Sequence, residues 1–268
     1  MILSSTSSSS TNFNTPMIFV SLLFFIYPHY TSSVMMVVVM LIIGHRGAAG
    51  LAPENTLEAL RAGIDAGADI LEFDIRLTKD NVPVLSHDFH TARTHKKPTI
   101  ISRLSLQELK EKTADNPIVT LDEVLEEFYG KILLNIELKS RGSGKIVTEL
   151  LRDKYITQDR DWMNILFSSF KGSELWAIRK LSKSANLALL HDQNPFMFIA
   201  YQRKLHLTAV GFHRLYLNEF ALQIAKKSGL FCYVYTVNRS HAAMLLQQRG
   251  VDGIVTNYPH TITEKIKK

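Results

Sequence analysis

Apolar and charged residues alternate with period two over residues 71–76, LEFDIR, which predicts a β-strand. The alternation sets Glu72 and Asp74 side by side on one face, about 7 Å apart along the strand. A turn at Lys79-Asp80-Asn81 leads to a second extended run, 82–85, ending in Ser86-His87-Asp88. This hairpin brings His87 back toward the mouth that holds the acidic pair. From residue 37 onward, strands and helices alternate. The pattern predicts strands at 38–44, 70–76, 132–139, 165–170, 187–191, 208–213, 230–237 and 253–256. Amphipathic helices are expected at 121–128, 144–151, 173–181, 195–204, 217–227 and 240–249. Ahead of the second strand, Asn55 with Glu58 reads as a capping box, Leu57, Leu60 and Ile64 as the buried stripe, and Gly67 as the stop.

Eight βα units in roughly 230 residues predict an α/β chain folded as a (β/α)8 TIM barrel. The hairpin is then an extra arm after strand 2, and residues 89–118, with the basic run 93–97, form a short loop-rich insertion. An open dinucleotide-binding sheet lacks support, since no G-x-G-x-x-G follows the first strand. The barrel is expected to occupy residues 35–268. Residues 1–34 form a separate leader, and residues 1–44 contain no Lys, Arg, Asp or Glu. Residues 4–11 are Ser/Thr-rich and cannot bury enough apolar surface to fold. Two readings of the leader stand open. Met35 and Met36 lie directly before the first strand, and a start there makes the leader an artefact of the assigned start and the protein cytoplasmic. The alternative exports the chain or anchors it in a membrane through residues 17–43, although a signal peptide's basic start is missing.

Composition adds little beyond this. Hydrophobic residues make up 46% and charged residues 21%, enough for a sizeable core. A net charge of +6 attracts anions, but no Lys/Arg stripe with interleaved aromatics marks a nucleic-acid surface. Membrane contact is expected only if the leader is real. The single cysteine, Cys232, excludes an internal disulfide or a cysteine-based zinc site and reads as core.

Barrel chemistry gathers at the carboxyl ends of the strands. Those ends carry His45-Arg46, Glu72 and Asp74, Glu137 and Lys139, Ser168-Ser169, His191, His213, Tyr235 to Asn238 and Thr256-Asn257. Asn135, Glu137 and Lys139 repeat the period-two logic on the buried strand LLNIELK. Glu72, Asp74 and Glu137 make an oxygen cage suited to Mg²⁺ or Ca²⁺. Arg46 offers a fork for a phosphate, and His45 and His87 can exchange protons near neutral pH. Glu54 and Asn55 either cap the first helix or line the pocket. His191 and His213 read as structural, His90 and His95 as members of a surface loop. Ser168 and Ser169 lack a nucleophile-elbow context.

His45-Arg46-Gly47, Pro53-Glu54-Asn55-Thr56, Glu72-x-Asp74, Pro83-Val84-x-x-His87-Asp88 and Glu137-x-Lys139 together resemble the glycerophosphodiester phosphodiesterases. Tyr235-Thr236-Val237-Asn238 and Asp252-Gly253-Ile254-x-Thr256 extend the likeness over roughly residues 41–259. The resemblance implies a barrel in which Glu72, Asp74 and Glu137 hold one divalent cation. It implies His45 and His87 as the acid/base pair, with Arg46 and Lys139 at the substrate phosphate. Glu54, Asn55, Tyr235 and Asn238 are further pocket candidates. The expected reaction releases sn-glycerol 3-phosphate and an alcohol from a small glycerophosphodiester. A lysophospholipase D-type reaction or a catalytically silent phosphate-binding barrel are the alternatives. Two departures stand out: the family usually has Trp at Tyr235 and Asp at Asn257, the second expected to alter a loop more than the chemistry.

Overall fold

The computed structural model describes residues 40–267. The leader and its two readings lie outside the described residues. Eight parallel strands close into a barrel: β1 (Leu41–Gly44), β2 (Ile70–Leu77), β4 (Leu133–Leu138), β5 (Ile165–Ser169), β6 (Asn186–His191), β7 (Ala209–His213), β8 (Phe231–Tyr235) and β9 (Gly253–Thr256). Each pairs with its neighbour in sequence, apart from the interposed arm, and β1 pairs with both β9 and β2 to close the ring. The arm, β3 (Pro83–Leu85), runs antiparallel to β2 with Ile75 opposite Leu85. The predicted TIM barrel with its hairpin arm is the observed fold.

Period-two patterning divides the core into two layers. Inward residues such as Leu41, Ile43, Ile70, Leu166, Leu190, Phe231 and Val255 fill the barrel. Outward residues such as Phe73, Ile136, Phe167, Phe212 and Ile254 pack beneath the helices. Above the inner apolar layer, toward the carboxyl ends of the strands, the inward positions turn polar at Glu72, Asp74, Asn135 and Ser168, all buried. Cys232 is buried core, as expected.

Several local expectations change. The helix Leu57–Asp65 is capped by Thr56, whose Oγ1 accepts from Ala59 N at 3.1 Å, and not by Asn55 with Glu58. Asn55 stands at φ +58° with its carboxamide committed elsewhere, so it cannot take the extended cap conformation. The helix consequently buries Ala59, Leu60 and Gly63, while Ile64 is exposed. The insertion 89–118 holds a helix, Leu106–Lys112, closed by a reciprocal capping box between Ser105 and Glu108. That helix shares a small core of Val84, Ile101, Leu109 and Ile118. A terminal helix, Pro259–Ile266, starts on the proline-first signal and follows β9. No helix among the described residues is long and apolar enough to cross a membrane.

Arg179 ties the helix Gly172–Leu181 to the next βα unit. Its guanidinium is buried and donates to five backbone carbonyls, those of Ser182, Lys183, Ala185, Leu205 and His206. Arg179→Met strips all five of their donor and is expected to lower stability by roughly 2–4 kcal/mol. Urea unfolding of the two proteins checks it.

Candidate functional site

The strand register builds the site. β2 and β4 pair so that Asp74 lies opposite Glu137 and Glu72 opposite Asn135. Glu72, Asp74 and Glu137 can each offer one carboxylate oxygen, and these atoms all lie within 4.8 Å of one another. Three anions this close, inside a barrel, need a cation or protons among them. Two fixed cations supply part of the balance. Lys139 Nζ pairs with Asp74 Oδ1 at 3.2 Å and with Glu137, and Arg46 Nε stands 3.3 Å from Asp74 Oδ2. Asp74 is further held by Asn55, whose Nδ2 donates to Oδ2 at 3.0 Å and whose Oδ1 accepts from Asp74 N at 3.1 Å.

The balance is unequal across the three. Burial disfavours the charged form of Asp74, but Lys139 and Arg46 more than offset this and hold it below the ordinary aspartate range. Glu137 is pushed up to about 7 by burial and by the Asp74 charge. Glu72 is raised well above its ordinary value by burial, Asp74 and Glu137. Glu72 Oε1 is buried without a hydrogen-bond partner among the described residues, whereas Glu137 Oε1 has the Lys139 ammonium beside it. A partnerless buried carboxylate oxygen within a set of three hard-oxygen donors fits a divalent cation.

The loop after β1 completes this wall. Arg46 takes a left-handed conformation, φ +51°, and its backbone N–H donates to Glu72 Oε2 at 2.8 Å. Gly47 follows at φ +84°, and a Cβ there would stand 2.4 Å from the Ala59 carbonyl carbon, so the tight return requires glycine. The side chain of Arg46 donates from Nη1 to Glu54 at 2.7 Å.

The two histidines have different partners. His45 Nδ1 lies 2.5 Å from Asn257 Oδ1. Burial, and then the Arg46 charge, lower its pKa to about 4, against the Asn257 hydrogen bond. His87 Nδ1 lies 2.7 Å from Asp88 Oδ1, a carboxylate. Burial opposes the charged form of Asp88, but hydrogen bonds from His87 and Arg93 hold its pKa near 2. Asn257 therefore touches a site histidine and is more than the loop variation expected from sequence. Asn238 Oδ1 accepts from the Asn257 backbone N–H at 2.9 Å and so fixes the loop that carries it.

An open pocket of about 380 Å³ joins these groups, lined by His45, Arg46, His87, Glu137, Lys139, Phe170, His213, Arg214, Tyr235, Thr236, Asn238 and Asn257. The Tyr235 hydroxyl donates to the His191 carbonyl at 2.5 Å, which fixes its ring edge-on to Phe170. Lys139 Nζ lies 5.5 Å above the Phe170 ring. His213, expected to be structural, stands on the pocket wall, whereas His191 is buried on the outer face of β6 against Phe212. His95 is not on a free surface loop: Nε2 contacts the Asn116 carbonyl and Nδ1 the Thr94 hydroxyl, each at 2.8 Å. Glu54 lies between Arg46 and Arg93 and caps no helix. Asp88, Phe170 and Arg93 were not legible as site residues. Only the position of Asp88 beside His87 hinted at its role, and Arg93 was hidden in a run that reads as solvated charge.

The model of the glycerophosphoryl diester phosphodiesterase family matches residues 45–261. YhdW of Bacillus subtilis is 33% identical over 83% of this chain and 96% of its own. A glycerophosphodiester phosphodiesterase of Caldanaerobacter subterraneus is 30% identical, over 85% and 98%. Among solved structures, an Oleispira antarctica phosphodiesterase in complex with the product sn-glycerol-3-phosphate is similar at TM-score 0.76 and 27% identity, covering 86% of this chain and 98% of that one. The glycerophosphodiester phosphodiesterase of Thermotoga maritima is similar at TM-score 0.73 and 28% identity, over 84% and 97%.

Asn55→Ala removes both hydrogen bonds that orient Asp74. It is expected to weaken divalent-cation binding about 10–100-fold, as loss of a ligand's supporting hydrogen bonds does elsewhere. Calorimetric titration with Mg²⁺ and Ca²⁺ measures this.

Proposed function

The chain belongs to the glycerophosphoryl diester phosphodiesterase family, and we propose that its residues 35–268 hydrolyse glycerophosphodiesters to sn-glycerol 3-phosphate and an alcohol by paired histidine catalysis. The carrying observation is that His45, His87, Arg46, Lys139 and Glu137 line one pocket. Glu72, Asp74 and Glu137 would hold Mg²⁺ or Ca²⁺. A cation there would supply Lewis-acid polarisation of the substrate phosphodiester.

The chain's own groups divide the proton work. His45, held neutral by burial and paired to an amide, takes the proton of the glycerol 2-hydroxyl as that oxygen attacks phosphorus. His87, whose Nδ1 lies against the Asp88 carboxylate, gives a proton to the departing alcohol oxygen as the phosphorus–oxygen bond breaks. Water then opens the cyclic phosphate, with the histidines exchanging roles. Arg46 and Lys139 stabilise negative charge on the transferring phosphoryl group. Tyr235 and Asn238 bound the same pocket, with the Tyr235 ring on the wall and Asn238 behind Asn257.

The segment after β7, whose His213 and Arg214 line the pocket, carries exposed apolar side chains. Leu215 is 72% and Phe220 66% exposed, and Phe220 stands 6.2 Å from Phe196 on the neighbouring loop. These apolar side chains support a second reading in which lysophospholipids are cleaved by the same groups. Hydrolysis of lysophosphatidylcholine at a kcat/KM above that of glycerophosphocholine would establish it, and absence of hydrolysis would remove it.

With glycerophosphocholine or glycerophosphoethanolamine as substrate, His45→Ala and His87→Ala are each expected to lower kcat at least about 100-fold with an unchanged circular-dichroism spectrum. Near-wild-type turnover in either overturns the assignment. Asn257→Asp sets a carboxylate against His45 Nδ1, favours its imidazolium, and moves the acid limb of the kcat/KM–pH profile to higher pH by about one unit. Glu137, at about 7, and Glu72 hold protons in the metal-free fold that the unfolded chain gives up above its ordinary glutamate value of 4.5. His45 and His191, both lowered to about 4, act in the opposite sense up to their ordinary value of 6.5, so stability of the metal-free protein is expected to fall as pH rises from about 6.5 to 8, with Mg²⁺ or Ca²⁺ reversing the loss and releasing protons. Thermal melts across that range, with and without cation, measure it.

A further inference from the structure

Arg93 lies in the loop that follows the hairpin arm and reaches both sides of the site. Its Nη1 and Nη2 donate to the two oxygens of Glu54 at 2.6 Å each, and its Nε donates to Asp88 Oδ2 at 2.8 Å. Both carboxylates are also engaged by groups of the catalytic pocket. Glu54 Oε1 accepts from Arg46 Nη1 at 2.7 Å, and Asp88 Oδ1 lies 2.7 Å from His87 Nδ1. A continuous chain, His87–Asp88–Arg93–Glu54–Arg46, thus links the proton-donating histidine to the phosphate-binding arginine. The loop is built to hold this position: Thr91 Oγ1 accepts from Thr99 N at 3.0 Å and donates to the Lys97 carbonyl at 3.1 Å, and His95 N donates to the Thr91 carbonyl at 2.8 Å.

Resting on the reading of His87 and Arg46 given above, we infer that Arg93 is a positioning residue that fixes His87 and Arg46 at a set separation by clamping their carboxylate partners in one guanidinium. The geometry requires arginine. Three N–H groups in one plane meet two carboxylates, and a lysine ammonium cannot span both with directed bonds. Arg93 does not line the pocket that holds His45, Arg46 and Lys139; it lines, with Glu54 and His87, an adjoining cavity of about 280 Å³, and its three N–H groups are spent on Glu54 and Asp88. Its side chain is 46% exposed, and an isolated pair of that exposure contributes little to stability. The expected effect therefore falls on turnover more than on folding.

The test uses the full chain and glycerophosphocholine, with wild-type turnover as reference. Arg93→Ala and Arg93→Lys are each expected to lower kcat about 10–100-fold, as small misplacements of reacting groups do, with KM changed less than about threefold and a melting temperature within a few degrees of wild type. Millimolar guanidinium is expected to restore part of the Arg93→Ala activity and none of the His87→Ala activity. Added to a Glu54→Gln/Asp88→Asn protein, Arg93→Ala is expected to cost less than about twofold, because both clamped partners are already altered. Unchanged kcat in Arg93→Ala, a loss confined to KM, or an undiminished loss in the triple variant overturns the inference while leaving the hydrolase reading in place. A wild-type protein that hydrolyses no glycerophosphodiester overturns both.

Discussion

Burial of Glu72, Asp74 and Glu137 on adjacent strands of a closed barrel is the constraint from which the rest of the site follows. Three carboxylates within 4.8 Å of one another cannot all stay charged in a low-dielectric interior without positive charge nearby. Lys139 and Arg46 neutralise Asp74 directly and Lys139 also pairs with Glu137, yet Glu72 and Glu137 stay raised and Glu72 Oε1 has no hydrogen-bond partner among the described residues. The strand register fixes this outcome, since Asp74 opposite Glu137 and Glu72 opposite Asn135 follow from the pairing of β2 with β4. A one-residue slip would turn the whole set out toward the helices and put Leu71, Phe73 and Ile75 in the barrel.

Around that charge problem the chain sets two further devices. The loop after β1 must reverse tightly enough for the Arg46 N–H to reach Glu72, which explains the left-handed Arg46 and the enclosed Gly47. The second device is the contrast between the histidines: His45, half-buried, against an amide, and His87, more exposed, against a carboxylate. Burial and the Arg46 charge hold His45 neutral, while His87 keeps a carboxylate at its Nδ1, so the two imidazoles meet different partners within one site.

Where function is written as a local pattern on a strand, it could be read directly. Glu72-x-Asp74 and Asn135-x-Glu137-x-Lys139 declare both their strand and their shared face through period two, and His45 and His87 sit at element ends where barrel chemistry gathers. The fold was legible for the same reason, because eight amphipathic units of regular spacing leave few alternatives. What stayed hidden depends on tertiary contact. Asn55 and Glu58 spell a capping box, yet Asp74 claims the Asn55 carboxamide and Thr56 takes the cap. The Ser105-x-x-Glu108 signal was present, but the turn-rich composition around it obscured a seven-residue helix. Arg93 has no local signature, and only the folded loop shows that it meets carboxylates from two distant segments.

The measurement that tests this account most directly is release of sn-glycerol 3-phosphate by protein stripped with EDTA and then titrated with Mg²⁺ or Ca²⁺, run in parallel on wild type and Glu137→Gln. The account predicts a silent stripped enzyme, recovery on adding cation, and a Glu137→Gln protein that needs at least about tenfold more cation for its residual activity. Full release by the stripped wild type, or an unshifted cation requirement in Glu137→Gln, would contradict it.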